Sequence, residues 1–242
     1  MFTMRFIYII LFSFAVSSLF AQEEDTTLVE VKLDSLPPVA DPKYREDQFY
    51  ASISYNLMQG KPPGYSQNRF STGITVGFLR DMPVNKARNH AIAIGLGYGY
   101  NNIHHNLKVS ERSGVPIYEI VSEGEFENNK LVQHFLELPI EFRWRNSDSI
   151  SHKFWRVYAG FKVSYLFADK AEFDAAEGGV IKVKNDSALN NFVYGAYISA
   201  GWNTWNFYAY YGISPLYNSA STTNGNRVGL NSLNLGLMFY IL

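Results

Sequence analysis

The sequence predicts an all-β chain: an eight-stranded, antiparallel, up-and-down transmembrane β-barrel with a filled lumen and long extracellular loops. Three observations predict it. Segments of about 9 to 13 residues alternate apolar and polar side chains with the period of two that marks a strand, and the apolar set is the more uniform one. The connections between segments alternate long and short, as in barrels with loops at one rim and turns at the other. The aromatics of the apolar set gather at both ends of the segments with aliphatic residues between, the pattern of two interfacial girdles around a hydrocarbon belt.

The alternation is clearest across residues 131–167. Leu136, Leu138, Ile140, Phe142 and Trp144 alternate with Glu137, Pro139, Glu141, Arg143 and Arg145. After a polar break, Trp155, Val157, Ala159, Phe161, Val163, Tyr165 and Phe167 alternate with Arg156, Tyr158, Gly160, Lys162 and Ser164. A soluble sandwich would have to cover so continuous an apolar face. A membrane barrel turns it to lipid and keeps the charges in the lumen.

Taken in order, the chain opens with Arg5, an apolar run over 6–16, and small residues Ser17, Ser18 and Ala21, which read as a signal peptide over 1–21. Residues 22–47 are polar and acidic and carry Pro37, Pro38 and Pro42, as expected of a disordered periplasmic tether. Residues 48–242 form the expected outer-membrane barrel domain, with both termini on the periplasmic side of a Gram-negative envelope. The eight strands are expected at 49–57, 70–80, 90–101, 131–145, 154–167, 191–202, 205–214 and 231–242. KPPGYS in the first loop cannot be regular structure, whereas LKVSERSGVPIYEI in the second suggests a hairpin that extends the third and fourth strands above the membrane, and Gly178–Gly179 in the third suggests another hairpin. A turn is expected over 81–89. An even strand count returns the last strand to the first and leaves no edge.

Further patterns support closure. All four tryptophans, Trp144, Trp155, Trp202 and Trp205, fall on the outward face at the short-turn end and form the expected aromatic girdle. The strand glycines (among them Gly77, Gly97, Gly160 and Gly195) share the inward parity and leave room for inward Tyr50, Tyr158, Tyr197, Tyr208, Tyr210 and Tyr240. The last strand ends NLGLMFYIL, where Asn234, Gly236, Phe239 and Ile241 resemble the C-terminal signal read by the barrel assembly machinery. Pro139 has no N–H to give and predicts a bulge or a skipped ladder bond.

The remaining chemistry is sparse. The chain has 242 residues, a net charge of −1 and no cysteine. Nothing in that balance suggests a nucleic-acid partner, and disulfides and thiolate metal sites are excluded. Glu137, Glu141, Arg143, Arg156 and Lys162 are expected to form an inward charge network. Placing Trp144 beside Trp155 would set Glu137 about opposite Lys162 and Glu141 near Tyr158. The network reads as an ion-paired plug, with a gated proton or ion path as the alternative. His104 and His105, adjacent and therefore on opposite strand faces, read as surface loop residues rather than a chelate. His134, near the outer rim, is the only candidate base for a rim hydrolase, and no serine stands at a fixed spacing from it. No catalytic, cofactor or metal residues are expected.

The run FLELPIEFRWR followed by FWRVYAGFKVSYLF resembles the central hairpin of the PorT-like outer-membrane β-barrel proteins of Bacteroidetes. The resemblance implies an eight-stranded outer-membrane barrel, some relatives of which act in type IX secretion and gliding. It offers no catalytic residues to carry over. The expected role is therefore a non-enzymatic envelope structural or interaction protein, with outer-membrane lipid, the assembly machinery and envelope or secretion-complex proteins as partners. A narrow porin-like channel and a rim hydrolase are the alternatives.

Overall fold

The computed structural model describes residues 47–67, 69–146 and 155–241. The expected signal peptide, all but the end of the expected tether, and most of the turn after residue 145 lie outside the described residues.

Eleven strands are present among the described residues: β1 (Gln48–Gln59), β2 (Thr72–Pro83), β3 (His90–His104), β4 (Leu107–Arg112), β5 (Val115–Ile120), β6 (Phe126–Arg145), β7 (Trp155–Ala175), β8 (Val180–Lys184), β9 (Phe192–Trp202), β10 (Trp205–Gly212) and β11 (Asn231–Ile241). Eight of them, β1, β2, β3, β6, β7, β9, β10 and β11, pair antiparallel in that cyclic order. The ring closes where β11 returns along β1, from Phe49↔Ile241 to Gln59↔Asn231. Every barrel strand thus has two neighbours and no long edge is left to template aggregation.

The strands are inside-out relative to a soluble protein. Along the lower half of β6, Leu136, Leu138, Ile140, Phe142 and Trp144 are exposed, while Glu137, Glu141, Arg143 and Arg145 are buried. Exposed aliphatics stacked strand after strand make a continuous apolar belt, which water would penalise and hydrocarbon does not. Trp155 meets Trp202 edge-on at 5.5 Å and Trp205 meets Phe239 at 5.0 Å at the short-turn end. Tyr55 stacks on Phe70 at 4.8 Å and Tyr165 meets Phe192 at 5.0 Å at the other.

Several expected boundaries need correction. β2 does not turn at Asp81 but runs on to Pro83, with Asp81 fully buried in the lumen. β6 begins five residues earlier than expected, at Phe126, and β7 continues past Phe167 to Ala175. The outward apolar pattern stops at the girdle, yet the backbone ladder continues above it, because inward Leu131, Ala171 and Phe173 still have a core to fill. The β6–β7 register is also shifted by two residues: Trp144 pairs with Val157, Glu137 with Ser164 and Arg143 with Tyr158. At Pro139 the β3–β6 pairing skips from Ile94↔Ile140 to Gly97↔Glu137, as a residue without an N–H requires.

Both expected hairpins form, but the first does not extend the barrel strands. β4 pairs with β5 through the Ser113–Gly114 turn, where both residues have positive φ, as a two-stranded sheet separate from β3 and β6. β8 folds back on β7 through Gly178 and Gly179.

Candidate functional site: a plugged lumen and a capped mouth

The lumen is filled in layers. Nearest the short-turn end, Asp81 accepts hydrogen bonds from Arg145 Nη1 and Nη2, both at 2.9 Å, and from Arg143 Nη1 at 3.0 Å. Arg143 also donates through Nε to Glu141 at 2.8 Å. Tyr197 and Tyr240 donate to the other oxygen of Glu141, at 2.8 and 3.1 Å. The guanidinium of Arg143 lies 4.8 Å above the ring of Tyr158, and that of Arg156 lies 5.4 Å from the ring of Tyr240. The aromatic faces thus add to the ion pairs and hydrogen bonds that hold these buried guanidinium groups.

One layer up, Lys162 donates to Glu137 at 2.9 Å and lies 4.7 Å over Tyr210. The two are not opposite each other, because Lys162 pairs with Pro139, and the ammonium reaches Glu137 diagonally. The tyrosines fit because glycines face them. A Cβ at Gly77 would lie 2.6 Å from the Tyr50 ring, and one at Gly195 would lie 2.7 Å from Tyr210. Above this pair a polar cavity of about 30 Å³ is lined by Ser52, Ser54, Thr75, Asn101 and Asn234, room for about one or two waters.

The cavity is roofed by the loops. Met58, Ile103, Leu107, Leu131, Tyr217 and Val228 are each at most 2% exposed and belong to one apolar core contributed by all four long connections. Polar latches hold the roof. Tyr118 on β5 donates to both oxygens of Asp186, at 2.6 and 2.8 Å, and Asp169 accepts from the Asp186 backbone at 3.1 Å. Burial raises the pKa of Asp169 from its ordinary value.

The remaining expected site residues are placed as follows. Trp144, Trp155, Trp202 and Trp205 all face outward at the short-turn end. Asn234 faces the lumen, Gly236 packs against the backbone of Ile53 and Ser54, Phe239 meets Trp205, and Ile241 is exposed. His134 faces outward, and its Nδ1 is 2.7 Å from the Tyr98 hydroxyl, within an aromatic cluster with Tyr100 and Phe167. The reading of His105 as a surface residue is corrected. It is 4% exposed, its Nδ1 accepts the Leu107 amide at 3.1 Å, and it lies against Tyr65. Burial, with a smaller contribution from His104, lowers its pKa to about 3. Among the described residues no three His, Asp or Glu are grouped to hold a metal ion.

One lumen residue escapes sequence reading. Asp81 shares the parity of Gly77 and Leu79, but a charge near a strand end fits a turn equally well. Arg145, inward by the parity of Arg143, joins the expected network as a further member.

Comparison with known proteins places this architecture. The family described as "Outer membrane protein beta-barrel domain" matches residues 20–218. No curated protein matches. Two solved structures, one titled "Asymmetric conductivity of engineered proteins" and the other a double mutant of the Rh. blastica porin, are each 8% identical, with TM-score 0.21, over 82% of this chain and 100% of theirs. The match spans most of the closed, inside-out ring described above, and the chain belongs to the outer-membrane protein β-barrel domain family.

Proposed function

We propose that this chain is a non-enzymatic structural and interaction protein of the outer membrane. In this reading it is a PorT-like barrel of a Bacteroidetes envelope and an accessory of the type IX secretion or gliding machinery. One observation carries it: the interior is occupied at two levels, by the Arg–Tyr–carboxylate plug below and the apolar roof above. An occupied interior leaves the surfaces as the places where the protein acts. The long-loop end then faces outward and the termini lie in the periplasm, as in other bacterial barrels. The barrel assembly machinery reads the end of β11, and lipid contacts the belt. An affinity tag on the mature chain, with in-cell cross-linking, should recover envelope or secretion-complex proteins from outer membranes. A deletion strain with unchanged secretion and gliding, together with a pull-down that yields only assembly machinery, would remove the accessory role.

A further inference from the structure

A second cavity, of about 160 Å³, lies at the long-loop end where β3 ends and β6 begins. Its walls are Arg69, His104, His105, Glu123, Phe126 and Asn129. The groups offered there are mostly donors. Asn129 is 3% exposed and its side-chain Nδ2 has no hydrogen-bond partner, a state that costs stability unless something in the cavity accepts from it. His105 accepts the Leu107 amide at Nδ1, which fixes the neutral tautomer with its proton on Nε2, a second donor. Arg69 is exposed at the mouth and adds a guanidinium fork. Arg69 and nearby Lys130 both act on His104 as positive charges. Glu123, the one acid on the wall, has a partner of its own.

We propose that this cavity binds a phosphate group, either free inorganic phosphate or the phosphomonoester of a lipid headgroup. A tetrahedral oxyanion accepts from several converging N–H groups at once, and the guanidinium matches two of its oxygens. The Phe126 ring on the wall provides an apolar surface for the carbon attached to an ester oxygen. The site is independent of the interaction role proposed above.

The test uses the mature chain refolded in detergent micelles. Inorganic phosphate is titrated by calorimetry, and native mass spectrometry counts bound phosphatidic acid against phosphatidylcholine. Saturable binding of inorganic phosphate assigns the free anion. Binding of phosphatidic acid without inorganic phosphate assigns the headgroup. In either case Arg69→Gln and Asn129→Asp should each weaken the affinity at least about tenfold, the scale of one lost charge-assisted bond. Binding of neither probe, or binding that Arg69→Gln leaves unchanged, overturns the proposal. Arg69 is exposed in a loop, so its variant decides the matter if Asn129→Asp fails to fold.

Discussion

Asp81 and Glu137 show how differently two buried carboxylates can matter in one lumen. Asp81 is fully buried and holds two guanidinium groups with three hydrogen bonds. Replacing it with Asn removes the counter-charge that Arg143 and Arg145 share. Loss of one partner from a buried ion pair costs roughly 3–5 kcal/mol. Glu137 pairs with a single ammonium, and its Oε2 has no partner beside the small polar cavity. Water can enter there, so Glu137→Gln is expected to cost less, about 1–3 kcal/mol. Urea unfolding of each variant from phospholipid vesicles checks the ranking. An Asp81→Asn barrel as stable as wild type would mean that the guanidinium groups find other partners. The tyrosine–glycine pairings offer no such slack, since a side chain at Gly77 or Gly195 would occupy the space of a Tyr50 or Tyr210 ring atom.

At the scale of elements, the barrel strands and the loops are not equally legible in the sequence. Alternation predicts all eight strands and their outward faces, because lipid imposes a strict period of two on every residue of the belt. It fails where lipid ends. Residues 126–130 and 168–175 lose the outward apolar residues yet stay paired, and the register of β6 on β7 depends on a turn that periodicity does not describe. The roof is illegible for a related reason: Tyr65, Tyr118, Leu189, Tyr217 and Val228 are scattered over four loops and form a core only once the barrel brings those loops together. Its latches can be tested singly. Tyr118→Phe removes the donor to Asp186 and should loosen the roof by about 1.5–3 kcal/mol, the value of a bond to a charged group, seen as faster trypsin cleavage at Arg227. Acid should loosen it too. The folded pKa of His105 lies near 3, below its ordinary 6.5, so its contribution is complete above pH 6.5 and is lost as pH falls towards 3. By pH 4 that amounts to about 3 kcal/mol. Protonation would also turn Nδ1 against the Leu107 amide that it accepts. Asp169 works in the opposite sense, because its raised pKa makes acidification favourable to the fold. Exchange of the Leu107 and Val121 amides, corrected for intrinsic rates, should therefore accelerate on acidification in the wild type. His105→Gln should abolish that acceleration, and an unchanged profile in the variant would assign the effect to another group.

For the whole molecule, the plug and the roof are barriers in series, and this sets what a conductance measurement can reveal. Tyr197, Tyr240, Arg143 and Glu141 fill the ring at one level, while Met58, Leu107, Tyr217 and Val228 cover it at another. An eight-stranded ring is only wide enough for its own side chains, so either barrier alone suffices to stop ions. The wild-type protein in a planar bilayer should be silent. Shortening residues 216–228 to a flexible linker removes most of the fourth loop's share of the roof but leaves the plug, and should stay silent. Combining Tyr197→Ala with Tyr240→Ala opens space around Glu141 beneath an intact roof, and should also stay silent. Only the variant carrying both changes should pass ions. Conductance in the wild type would contradict closure and restore the channel alternative. Conductance in one single-barrier variant alone would show that the other barrier is open in the membrane, and so identify which of the two seals the barrel.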